Sequence, residues 1–199
     1  MAGDPAIRND KRYTYADYCT WGDAERWEVI DGVAYAMSPS PSVDHQEIAL
    51  GIAEQLRAAL RGQKCRAFIA PLDVLLPQRN EADELVETTV QPDVFVVCDP
   101  AKIRDKNVRG TPDFIVEVLS PKKPGRDVVL KRRRYERAGV PEYWVVHPRD
   151  RVVLIFRTLA DGHMTMDAQE LSGQTAVAVL PGVSIDWDPI VAGLPPEPE

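Results

Sequence analysis

Between Ser42 and Gly62, Ile48, Ala49, Ile52, Ala53, Leu56 and Leu60 recur at helical spacing. That spacing predicts a helix with one buried stripe, capped by Ser42 and stopped at Gly62. His45 lies one turn before the first of these residues, on the same stripe. Most other apolar positions run together or alternate, which is the strand pattern. "RWEVIDGVAYAM" gives two short runs around Asp31-Gly32, a tight-hairpin signal with Glu28 on its first strand. Before it, Thr14 can cap a short helix in "TYADYCTWG" that ends at Gly22. "CRAFIAPLDVLLP" and "VQPDVFVVCDP" predict strands on either side of "QRNEADELVETT", a polar loop whose carboxylates are expected to be solvated. "TPDFIVEVLSP" is so dense in Val, Ile and Phe that it predicts a strand covered on both faces. After Pro121 and Pro124 a basic helix runs to Gly139. "EYWVVH" and "RVVLIFR" flank Pro148-Arg149-Asp150, a second hairpin, and "GHMTMDAQEL" with "TAVAVLPGVSI" adds edge strands. Strands mixed with two long helices predict an α/β or α+β fold, a mixed sheet packed by helices.

A chain of 199 residues, 44% apolar, buries one core. The expected organisation is a flexible segment over 1–12, a single domain over 13–190 and a disordered tail over 191–199, the last ending in "GLPPEPE". No apolar run approaches the roughly 20 residues of a membrane span, and the first residues carry charges where a signal peptide is apolar. A soluble, cytoplasmic protein is expected. Cys19, Cys65 and Cys98 are widely separated with no CxxC pair, so they read as buried thiols rather than a zinc cluster or a disulfide framework. The net charge of −7 opposes a broad grip on nucleic acid, which works by neutralising many phosphates. It leaves room for a local basic site. "RDVVLKRRRYER" supplies one, with Arg126, Lys131, Arg132, Arg133, Arg134 and Arg137 set against Asp127 and Glu136. Such a run is also what a solvated helix face looks like.

Glu117 sits inside the most apolar strand, where an unpartnered carboxylate is costly. By the two-residue period its face also carries Asp113, Ile115 and Leu119. A second acid, Asp93, follows Pro92 at the start of another apolar strand; proline is tolerated at a strand's beginning or edge, so Asp93 is expected at the rim of the sheet. Two carboxylates on adjacent strands form an oxygen-rich arrangement that Mg²⁺ or Mn²⁺ accepts, water and phosphate filling the remaining positions. An arginine from the following helix would satisfy Glu117 equally well. In that helix Val128, Lys131, Tyr135 and Ala138 are spaced three, four and three, which places Lys131 on the apolar face. From there it can reach the cleft near Glu117 and stabilise negative charge on a phosphoryl centre, or it can snorkel to the surface.

"WEVIDG", "PSVDHQ", "APLDV", "QPDVFVV", "PDFIVEVLSP", the Asp127/Lys131/Tyr135 helix and "GVPEYWVV" together resemble the Uma family of restriction-endonuclease-like proteins in the PD-(D/E)XK superfamily. The likeness runs from about Tyr13 to Ile190, with several separated motifs in order. It implies a nuclease core over 13–190 and a divalent-metal endonuclease acting on nucleic acid, DNA first. Its metal would be Mg²⁺ or Mn²⁺, held by Asp93 at the PD position, Glu117 at the (D/E) position and the backbone carbonyl of Val118. The motif lysine belongs two residues after the acid, but Leu119 stands there. The resemblance transfers that role to Lys131, with Lys122 and Lys123 as looser candidates. Glu28 matches the acid before the hairpin and His45 the histidine at the helix start; either can serve the reaction or the structure. Arg126, Arg132, Arg133 and Arg134 would anchor flanking phosphates, and a homodimer is expected. The alternatives are a nuclease-fold module that binds without turnover, and an enzyme using the same site on a small phosphorylated substrate.

Overall fold

A computed structural model of the chain describes residues 11–22, 26–37, 41–120 and 125–195, the side chains of 125–127 excepted. In chain order the elements are α1 (Tyr15–Tyr18), β1 (Trp27–Ile30), β2 (Val33–Ala36), α2 (Val43–Ala59), β3 (Arg66–Ile69), β4 (Asp73–Leu75), β5 (Thr89–Val90), β6 (Val94–Val97) and β7 (Asn107–Arg109). There follow β8 (Phe114–Val118), α3 (Gly125–Ala138), β9 (Glu142–His147), β10 (Val152–Thr158), β11 (Met164–Glu170), β12 (Gln174–Ala176), β13 (Ser184–Asp186) and α4 (Trp187–Ala192). The larger sheet has the order β11-β10-β9-β8-β6-β3, and a smaller one β2-β1-β5-β4-β7. Both are mixed: β8 runs parallel to β9 and antiparallel to β6.

Local chemistry explains the elements. Thr14 caps α1 in a capping box with Asp17, yet the helix stops at Tyr18, four residues before the expected Gly22. Asp31 and Gly32 take positive φ angles of 50° and 77°, the turn that an Asp-Gly hairpin needs. Ser42 accepts a hydrogen bond from the His45 N–H, as an N-cap should.

The period-two alternation of the central strands separates two cores. Val94, Val96, Phe114, Val116, Val118, Trp144 and Val146 face α2 and α4, where they meet Ile48, Ile52, Leu56 and Trp187. Phe95, Val97, Ile115, Tyr143 and Val145 face the other way, onto Tyr135 of α3 and onto Val74, Val90 and Val108 of the smaller sheet. The larger sheet is therefore covered on both faces, which is why β8 is a continuous apolar run. Glu117 belongs to the face of α3 and the smaller sheet, with Ile115 and Leu119.

The structure departs from the sequence expectation in four further places. Cys65 and Cys98 are disulfide-bonded and only half-buried, and Cys19 is an exposed thiol. Arg66 pairs with Val97 across β3 and β6, so the next rung sets Cys65 beside Cys98. The polar loop is not simply solvated: Asp83 pairs with Arg104 and Arg109, Glu87 with Arg12, and β5 occupies its end. Arg134 points inward rather than out. Finally, α4 continues past Ile190 to Ala192, with Val191 and Leu194 packed on the core.

Candidate active site

Three strands and two helices build the site. The antiparallel register of β6 and β8 pairs Val96 with Phe114, Phe95 with Ile115 and Val94 with Val116. Continued one rung, it sets Asp93 directly opposite Glu117, where facing Cβ atoms lie about 5 Å apart. The ladder cannot go further, because Pro92 has no N–H to offer. The Asp93 carboxylate takes the place of the missing strand: its Oδ2 accepts the Val118 N–H at 2.8 Å. N–H and C=O of one residue point to the same side of a strand, so the Val118 carbonyl also faces the gap beyond the end of β6, while Leu119 turns its N–H to Val146 on β9.

From the first turn of α2, His45 brings Nε2 to 3.0 Å from Asp93 Oδ2. Its Nδ1 is buried with no hydrogen-bond partner among the described residues. From α3, Lys131 reaches in along the stripe that the spacing predicts and is only 3% exposed. Its Nζ donates to Glu117 Oε1 and to Glu28 Oε1, each at 2.9 Å. One turn later Tyr135 donates its hydroxyl to Glu117 Oε1 at 2.8 Å. Glu28, buried on β1, also accepts the Gln91 N–H at 2.8 Å. Burial alone would drive Lys131 toward its neutral form, but the carboxylates of Glu117 and Glu28, with Asp93 farther off, outweigh it and hold the pKa well above its ordinary value. Burial and the same two glutamates push the Tyr135 hydroxyl up as well. Lys131 is thus an ammonium and Tyr135 a neutral donor.

Glu28, Asp93, Glu117, Val118 and Lys131 are brought together by pairings across 103 residues of chain, and His45 joins them through Asp93. The arginines are not gathered in the same way. Arg134 is buried, donating from Nε to Thr88 Oγ1 at 3.0 Å and from a terminal nitrogen to the Leu76 carbonyl. Arg132 lies over the Phe156 ring and 3.8 Å from Glu136. Arg133 is exposed. The Arg126 side chain, Lys122 and Lys123 fall outside the described residues. Sequence reasoning passed over Tyr135 as a site residue, although its place one turn after Lys131 on the same stripe was the available signal. It also passed over Gln91, whose backbone role leaves no trace in sequence.

Among the described residues no three His, Cys, Asp or Glu side chains are gathered tightly enough to hold a metal ion by themselves. The donors present are two carboxylates facing across one rung and a carbonyl beside them, all hard oxygens. Such a set fits Mg²⁺, which keeps several waters and is held through one or two carboxylates plus substrate phosphate. Beside Asp93 and His45 a cleft of about 200 Å³ opens between the start of α2 and the end of β3.

Residues 13–188 match the family Uma2, described as "Putative restriction endonuclease". A crystal structure of "a putative nuclease belonging to DUF820" from Anabaena variabilis ATCC 29413 superposes with a TM-score of 0.71 at 16% identity, covering 90% of this chain and 97% of that one. At that identity the likeness establishes the fold alone, a mixed sheet flanked by helices. A comparison with curated proteins found no match.

Proposed function

This chain belongs to the Uma2 family, and from that premise we propose that it hydrolyses phosphodiester bonds of nucleic acid, DNA first, with Mg²⁺ or Mn²⁺ held by Asp93, Glu117 and the Val118 carbonyl. A divalent ion supplies charge stabilisation at the phosphate and a more acidic bound water. The remaining work falls to the chain. An ammonium has three N–H donors; Lys131 commits two to Glu28 and Glu117 and has one for a water or a phosphoryl oxygen. Held well above its ordinary pKa, Lys131 cannot serve as general base; it acts as donor and fixed positive charge. His45 and the Val118 N–H fix the orientation of Asp93, and Tyr135 fixes Glu117. The observation that carries this reading is the rung that sets Asp93 opposite Glu117 with Lys131 already on Glu117.

Glu117→Gln keeps size and a hydrogen-bonding head while removing the charge. Mn²⁺ binding by calorimetry and cleavage of DNA should both disappear with the fold intact; cleavage at the wild-type rate in this variant would refute the assignment. Leu119 at the motif lysine's position is the observation favouring a module that binds without turnover. Wild-type protein that takes up no Mn²⁺ and cuts neither DNA nor RNA would establish that second reading.

A further inference from the structure

The cleft beside Asp93 is lined unlike a phosphate site. Its walls come from the first turns of α2 and the end of β3, an edge strand of the larger sheet. Leu50 and Ile69 stand there 61% and 50% exposed, two large aliphatic side chains left in water beside charged groups. Asp93 and Glu47 also line it, and they would repel a second phosphate. Arg26 lies on the same wall, exposed, with its guanidinium held by Gln91 Oε1 through Nε at 3.2 Å and a terminal nitrogen at 2.6 Å. Gln91 is the residue whose backbone N–H holds Glu28, so the position of Arg26 is tied to the Lys131 cluster.

A volume of about 200 Å³ lies below the roughly 300–1,000 Å³ of pockets for drug-sized ligands. It accommodates one ring system and no paired helix. A nucleobase is neutral, flat and apolar on its faces, with polar edges. Leu50 and Ile69 suit the faces, an arginine plane stacks on a base, and Gln46 or Ser120 can meet an edge. We propose that this cleft receives one unstacked nucleobase of an unpaired stretch of DNA, next to the phosphate that is cut. The inference rests on the hydrolase reading and narrows its substrate from DNA in general to strands with unpaired nucleotides.

The test is binding, read by fluorescence of 2-aminopurine with Ca²⁺ as the only divalent ion. The probes are a single strand, a duplex with one unpaired 2-aminopurine, a fully paired duplex and the free 2-aminopurine nucleotide. Both unpaired probes should bind about tenfold tighter than the paired duplex, with a rise in fluorescence. A Leu50→Ala/Ile69→Ala variant, shown to be folded by its melting curve, should lose that preference, and Arg26→Ala should weaken it. Equal binding of paired and unpaired DNA, no binding of any probe, or an unchanged preference in the double variant would overturn the proposal. Equal binding of the free nucleotide would overturn the assignment to a strand. Cleavage without preference defeats the subsite alone, whereas preference without cleavage under Mg²⁺ or Mn²⁺ defeats the hydrolase alone.

Discussion

Lys131 is a single side chain on which two buried carboxylates depend. Glu28 and Glu117 are each about 4% exposed, and both take a hydrogen bond from the same ammonium. Removing one partner of a buried ion pair leaves the other charge desolvated, at a cost of about 3–5 kcal/mol. Lys131→Met should lower the unfolding free energy obtained from urea titration by that much; a loss below about 1 kcal/mol would mean that the glutamates find other partners or take up protons. The pH dependence has a definite sign. Lys131 and Tyr135 both hold their protons more tightly folded than unfolded, where their ordinary values are 10.5 and 10.0. Their contribution is fully present below those unfolded values and is lost as pH rises through the higher folded ones. Stability at this site should therefore be flat near neutrality and fall in strong alkali, and Lys131→Met should flatten the part of that fall that Lys131 causes.

At the scale of elements, the start of β6 sets Asp93 opposite Glu117 and the start of β3 sets a cross-link. At one end of their shared ladder Asp93 replaces the strand that Pro92 cannot continue. At the other the rung beyond Arg66 and Val97 joins Cys65 to Cys98 across 33 residues of sequence. Closing a loop of that length limits the unfolded chain and stabilises by roughly 2–4 kcal/mol. The Cys65→Ser/Cys98→Ser variant should melt at lower temperature than the oxidised protein, with a midpoint indifferent to reductant, while the wild-type midpoint falls when reductant is added. Unfolded without reductant, the wild type should show the one free thiol of Cys19. A wild-type midpoint that reductant leaves unmoved would remove the cross-link from the stability of the fold.

For the whole molecule, 24 lysines and arginines stand against 31 acids, so long-range attraction to a polyanion is weak and contacts must be local. On α3 Arg134 is committed to Thr88 and Leu76, Arg137 to Asp31, and Arg132 lies on Phe156. Arg133, exposed on that helix, is the best placed of its described arginines for a phosphate. Arg133→Ala should weaken DNA binding evenly across sequences and reduce the slope of log affinity against log salt by about 1. A change confined to particular sequences would assign Arg133 to a base edge instead. No helix among the described residues is long and apolar enough to cross a membrane.

Signals that act over a few residues were legible in the chain itself. The Asp31-Gly32 turn, the Ser42 cap, the buried stripe of α2 and the inward face of Lys131 follow from backbone conformations and periodicities that neighbouring residues determine. The mixed α/β architecture followed from the same patterns. Contacts between distant segments were a different matter. Glu28 meets Lys131, Cys65 meets Cys98, and Arg134 finds the Leu76 carbonyl because the smaller sheet closes over that flank of α3. Periodicity tells which way a side chain points from its own element and nothing of what arrives opposite. That is decided by hydrogen-bonded register and by the joint burial of faces far apart in sequence, which only the folded chain brings into contact.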